Sequence, residues 1–255
     1  MKGLTTAEKL LQSLGVTEPD EIDLEAIAWT LGVKVRFRPL DGCEARIIGR
    51  GDHAIVTVNS RSGLGRQRFS IAHELGHWEF HRGQIMVCRP DEAGDLSSKA
   101  SPPEKRADRF AADLLMPSYL FRPTLKKFHR LDFDIIRKFG EMFGVSLTAA
   151  AIRMVGSDEH PAILICHNQH GRKWFLRSSL IPGHWFPRTE LQPESSAMDI
   201  LFGKRSHDPQ LRCVYADAWF DRYNAHKFEI AEQTYRISAD EILTLLIIED
   251  DEMLE

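Results

Sequence analysis

Apolar residues recur at helical spacing near the start of the chain, at Ala7, Leu10, Leu11 and Leu14, and predict a helix there. A second helix is predicted over 23–31, with Asp23 as its N-cap and Gly32 as its stop. The period then changes to two. Val33-Lys34-Val35-Arg36-Phe37-Arg38 alternates, and Ala45–Ile48 and Ala54–Val58 are short apolar runs between turn residues, so a small sheet is expected. Helical spacing returns over 66–81. A stretch of roughly 20 residues with Pro90, Gly94, Ser97, Ser98 and Pro102-Pro103 follows, which reads as a functional or mobile loop.

Glu104 opens the next helix directly after the prolines, with Ala107, Phe110, Ala111, Leu114 and Leu115 on one face and Pro117 as its stop. The pattern stays helical over 118–155. A helix over 133–143, a turn at Gly144-Val145 and a helix capped by Ser146 give a helix-turn-helix outline. Beyond Gly156 and Pro161 strands are expected at 162–166, 174–176, 213–220 and 243–248, with a turn at 168–171. The chain is thus read as α+β in three segments: 1–117, a helical 118–157, and a strand-rich 158–255.

Composition adds constraints. The 255 residues are 43% apolar, enough for a sizeable core. No secretory leader or membrane-length apolar run is evident, which places the chain in the cytoplasm. Cys43, Cys88, Cys166 and Cys213 are dispersed and are expected to be buried thiols. A formal charge of −4 argues against coating nucleic acid through bulk charge. The acidic run Glu249-Asp250-Asp251-Glu252 reads as a solvated tail.

The chemistry concentrates in His73-Glu74-Leu75-Gly76-His77. Residues four apart on a helix differ by about 40° around its axis and about 6 Å along it, so His73 and His77 can share one divalent cation. Glu74 is offset by about 100°, within reach of a metal-bound water without ligating, as a general base would be. A bare HExxH arises by chance in roughly one chain in a hundred of this size, so context matters. Gly76 sits inside the helix despite a propensity cost of about 1 kcal/mol, which points to another backbone packed close by.

Catalytic zinc takes three protein ligands and keeps one position open. Glu104 is the best third ligand, and Asp108, one turn later, is placed to accept a hydrogen bond from a ligating histidine. His81 lies about 12 Å along the helix from His73, too far to share the ion. Gly83 occupies the place of a third metzincin histidine. Asp91, Glu92 and Asp95 are alternative ligands on a poorer anchor.

The stretches RQRFSIAHELGHWEFH (66–81) and EKRADRFAADLLMP (104–117) resemble the ImmA/IrrE family of metallopeptidases. The resemblance includes LEAIAWTLGVKVRF near the start and extends through residue 155. It implies a zincin-like domain with one zinc ion on His73, His77 and Glu104, and Glu74 as catalytic base. Family members typically carry Asn where this chain has Asp108. The family relieves repression by cleaving a helix-turn-helix repressor, in stress responses or control of mobile elements, which implies a protein substrate. The region from about residue 158 resembles the C-terminal extension of some members, which in one branch looks like a GAF-type sensor.

Two other readings stand beside this one. Residues 118–156 hold seven basic against three acidic residues, as in a DNA-binding regulator with a non-catalytic metal. The helix over 147–154, however, offers almost no side chain able to read base edges, and packing is the favoured role. In a ligand-binding module, a closed structural zinc would need a fourth ligand, and none is evident. Trp174, Trp185, Phe186 and Trp219 read as core, His167, His170 and His184 as surface-turn residues, and no oxyanion donor is selected among His129, Tyr119 and the arginines.

Overall fold

The structure is a computed structural model that describes residues 3–82, 101–203 and 205–255. The predicted loop, with Cys88, Pro90 and the alternative ligands, lies largely outside the described residues. The chain forms two compact units, one of residues 1–121 and 140–146, the other of residues 122–139 and 147–255. An α+β architecture with two sheets is observed.

In the first unit, α1 (Thr6–Ser13) is fixed by a capping box. Glu8 N–H donates to the Thr5 hydroxyl and Thr5 N–H to the Glu8 carboxylate. The second Glu8 oxygen accepts Ser118 N–H at 2.7 Å, so one buried carboxylate ties the start of the chain to residue 118. Helix α2 (Leu24–Thr30) has Asp23 as N-cap, accepting Glu25 and Ala26 N–H. Gly32 ends it at φ +75°, where a Cβ would stand 2.3 Å from the Asp52 carbonyl oxygen.

Strands β1 (Val33–Arg38), β2 (Ala45–Arg50) and β3 (His53–Asn59) follow, in the order β1-β3-β2. The central β3 runs parallel to β1 and antiparallel to β2, and its Ala54, Val56 and Val58 are buried alternately, as the period of two requires. Helices α3 (Leu64–Phe80) and α4 (Pro102–Leu115) complete this framework. The prolines occupy the first turn of α4, where a missing N–H costs nothing.

Helix α5 (Ser118–Leu125) and helix α6 (Phe133–Phe143) each span the division between the units. Gly144, at φ +62°, ends α6, and α7 (Leu147–Val155) follows.

The second unit is built on an antiparallel sheet of β4 (Ala162–Asn168), β5 (Gly171–Arg177), β6 (Arg212–Tyr215), β7 (Glu229–Arg236) and β8 (Glu241–Ile247), ordered β5-β4-β8-β7-β6. On one face Ile163, Ile165, Trp185, Trp219, Phe220 and Ile242 form a core, beside α8 (Ser196–Phe202). The predicted strand over 213–220 is shorter than expected, because the chain leaves β6 for a 3-10 turn at Ala216–Ala218.

Several residue-level expectations are corrected. His167 is fully buried, because it lies on β4 between paired strands and not in the turn. His170 and His184 are exposed. Cys166 is buried, Cys43 is half-buried, and Cys213 is exposed on the edge strand β6. Trp185 and Trp219 are core, but Phe186 is 55% exposed, its ring clustered with the Phe175 ring and the Arg172 guanidinium, which also contact each other. Along the acidic end, Met253 is buried, and its carbonyl accepts the Trp185 indole N–H at 2.8 Å.

Candidate metal centre

Helix α3 is placed by its own side chains. Trp78 donates its indole N–H to the Leu31 carbonyl at 3.0 Å, and its ring lies against Gly49 of β2, where a Cβ would come within 2.3 Å of it. On another side, a Cβ at Gly76 would stand 2.9 Å from Ala107 Cα and 3.1 Å from its carbonyl oxygen. The glycine therefore admits the α4 backbone. That contact sets Glu104, one turn before Ala107, beside the two histidines of α3.

The result is a buried cluster in which one ligand atom each of His73, His77 and Glu104 lie within 4.8 Å of one another. The two Nε2 atoms are 3.0 Å apart. Glu104 Oε2 stands 3.1 Å from Nε2 of His73, and Oε1 stands 3.3 Å from Nε2 of His77. The outer nitrogen of His73, Nδ1, lies 2.8 Å from Asp108 Oδ1, so a neutral His73 donates to Asp108 and turns a lone pair inward from Nε2.

These atoms fit a cation. Glu104 Oε2 is buried and stands at contact distance from Nε2 of His73, so an ion held between them would be reached by both atoms. Burial, reinforced by the neighbouring His73, pushes His77 down to about 4. Contact with His73 holds the Glu104 carboxyl below the usual carboxylate range, against the effect of burial. At neutral pH His77 is thus neutral and Glu104 anionic, the forms in which they bind metals. Two imidazoles and one carboxylate are a donor set that zinc takes with one position left open.

Glu74, next to His73 on α3, is buried. The other sequence candidates fall elsewhere. The Tyr119 hydroxyl donates to the Val16 carbonyl at 2.8 Å, and His129 is an exposed residue of the second unit. His81 is not among the converging atoms.

The family model described as the IrrE N-terminal-like domain of Peptidase M78 matches residues 28–155. The chain belongs to this family. The match takes in α3 and α4, and with them every residue of the cluster. A curated relative, the uncharacterized protein YqaB of Bacillus subtilis (strain 168), is 29% identical over 76 residues, 30% of this chain. That alignment spans 42% of the relative's length. Among solved structures, a Mycobacterium tuberculosis transcriptional regulator shares the fold with a TM-score of 0.59 at 15% identity, over 94% of this chain and 85% of that one. The shared fold therefore includes the strand-rich C-terminal region beyond the family match.

Proposed function

We propose that this M78 family member is a zinc-dependent endopeptidase that cleaves a helix-turn-helix transcriptional repressor and so relieves repression. The observation that carries the reading is the buried convergence of His73, His77 and Glu104, with Asp108 on the outer nitrogen of His73, in a chain of a peptidase family. His73, His77 and Glu104 would hold one zinc ion. Bound there, zinc supplies Lewis-acid polarisation of a peptide carbonyl and makes water more acidic.

The chain's own residues supply the rest. Glu74 takes the proton from the attacking water and returns it to the leaving amide nitrogen, so that an amine and not an amide anion departs. Asp108 keeps His73 in the tautomer that presents Nε2 inward. Glu104, anionic, balances part of the ion's charge in a site from which water is largely excluded.

The repressor as substrate follows from the family resemblance, and a regulatory setting agrees with a fold neighbour that is a transcriptional regulator. Residues 1–117 would carry the peptidase activity and the strand-rich region from 158, within the second unit, a sensory role, with the chain acting in the cytoplasm. No helix among the described residues is long and apolar enough to cross a membrane. Against a DNA-reading role for α7 stand its buried Ala150, Ala151, Met154 and Val155, which support packing.

The decisive experiment replaces Glu74 with Gln. The variant is expected to bind zinc like the parent and to lose at least about a hundredfold in cleavage of a repressor encoded beside its gene, the usual scale for removing a general base. Undiminished cleavage by Glu74→Gln sinks the mechanism.

A further inference from the structure

Asp108 engages the outer nitrogen of one histidine of the pair, and the outer nitrogen of the other has a partner as well. His77 Nδ1 lies 3.3 Å from Nδ1 of His81, with the ring centroids 5.4 Å apart. His81 is the C-cap of α3. Its backbone has left helical geometry, at φ −133° and ψ 30°, while its N–H still donates to the His77 carbonyl at 2.8 Å. The ring is thus held one turn beyond His77, where i and i+4 side chains meet.

Two imidazole nitrogens make a hydrogen bond when one carries a proton and the other a lone pair. The inner side of His77 decides which is which. Its Nε2 faces Nε2 of His73 at 3.0 Å and Glu104 Oε1 at 3.3 Å, and a ligating Nε2 bears no proton. A neutral His77 therefore carries its proton on Nδ1, which donates, and His81 Nδ1 accepts.

We infer that His81 is a positioning residue of the metal centre, accepting the Nδ1–H of His77 and so fixing the tautomer and ring orientation that present His77 Nε2 to the ion. The inference rests on the metal-centre reading above. The distance along the helix that removes His81 from the ligand set is what lets it serve as the outer partner of His77. The two ligating histidines would then be held by unlike acceptors, a carboxylate on His73 and a neutral imidazole on His77.

The test uses the full chain, with zinc affinity measured by competition against a chromophoric chelator and the ligand field read from the visible absorption of the cobalt(II)-substituted protein. His81→Leu removes the acceptor at similar bulk, and His81→Asn places an amide oxygen close to where Nδ1 stands. His81→Leu is expected to lower zinc affinity by about tenfold to a hundredfold, the usual cost of an outer-shell partner, and to alter the cobalt bands. His81→Asn should retain both parental values. His81→Ala repeats the acceptor deletion in case the leucine variant does not fold.

Parental affinity and spectrum in His81→Leu or His81→Ala overturn the inference. So does an equal loss in His81→Asn, which would make the role one of packing. If the folded parent itself binds no zinc, the metal-centre reading fails and takes this inference with it. If the parent binds tightly and the acceptor deletions bind as tightly, His81 alone is wrongly placed.

Discussion

Individual buried groups set how this protein responds to pH, and His167 is the clearest case outside the metal centre. It sits on β4 with no exposed surface, its ring 5.8 Å from that of Trp219. Burial, with the nearby charge of Arg172, pushes it down to about 4. In the unfolded chain it returns to the ordinary value near 6.5. Folded protein then binds fewer protons than unfolded protein between these two values. Stability is undiminished above pH ~6.5 and is lost as pH falls toward about 4, by about 3 kcal/mol for a fully realised shift of this size. Denaturant unfolding followed at pH 7.5 and pH 4.5 should show the loss. In His167→Gln, which keeps a polar side chain but cannot titrate, the acid-side loss should shrink by a comparable amount. An unchanged difference between the two pH values would show that His167 does not carry it.

At the level of elements, the metal centre depends on how closely α4 can approach α3. A methyl group at Gly76 would meet Ala107 Cα at 2.9 Å, its carbonyl at 3.1 Å and Phe110 Cβ at 3.2 Å. Two of these three atoms are backbone, which no rotamer change can move aside. Alanine is the better helix former by about 1 kcal/mol, so Gly76→Ala would be stabilising in an isolated helix. Here it should push α4 and Glu104 away from the histidines. We expect zinc affinity to fall by at least about tenfold, as loosened ligand geometry typically costs, with far-ultraviolet circular dichroism unchanged. Parental affinity would show that the interface yields elsewhere.

The same residue shows what the sequence makes legible. A glycine at an otherwise helical position, two histidines four apart and a proline-started helix carrying Glu104 and Asp108 are local signals; helix geometry alone pairs His73 with His77, while Gly76, Glu104 and Asp108 make their contacts between α3 and α4. Strand β7 escaped prediction for the opposite reason. Its Glu232, Gln233 and Thr234 are all buried, so no alternation of apolar and polar residues marks it. Glu232 is satisfied by distant partners, accepting Ser195 and Ser196 hydroxyls, Ser196 N–H and the Trp219 indole N–H. Asp208 likewise accepts the Ser196 hydroxyl and Thr234 N–H. Such long-range pairing has no periodic trace. Helix α8, seven residues long, is too short to show one. His81 was visible in sequence only as a ligand to be ruled out, because its role depends on how the helix ends.

At the scale of the whole molecule, the boundary suggested by the change to strand-rich sequence near residue 158 separates groups that belong to one compact unit. Residues 122–139 and 147–255 form that unit. Phe133 N–H donates to the Gln233 side chain at 2.8 Å, its ring lies 5.0 Å from that of Tyr235, His160 bonds the Phe128 carbonyl at 3.0 Å, and Arg122 pairs with Glu159. A chain ended after residue 157 would keep the whole family match, 28–155, yet lose every one of these partners. Phe133 and Leu131, fully buried in the intact chain, would lose cover, and a buried apolar side chain is worth about 1.5–3 kcal/mol. The truncated chain should therefore self-associate in size-exclusion chromatography and be cut by protease first within 122–139, while the His73, His77 and Glu104 cluster, built wholly from the first unit, should still bind zinc. A monodisperse, protease-resistant 1–157 fragment would mean that the helical segment folds without the sheet. Loss of zinc binding in a fragment that stays folded would mean that the metal centre depends on the second unit.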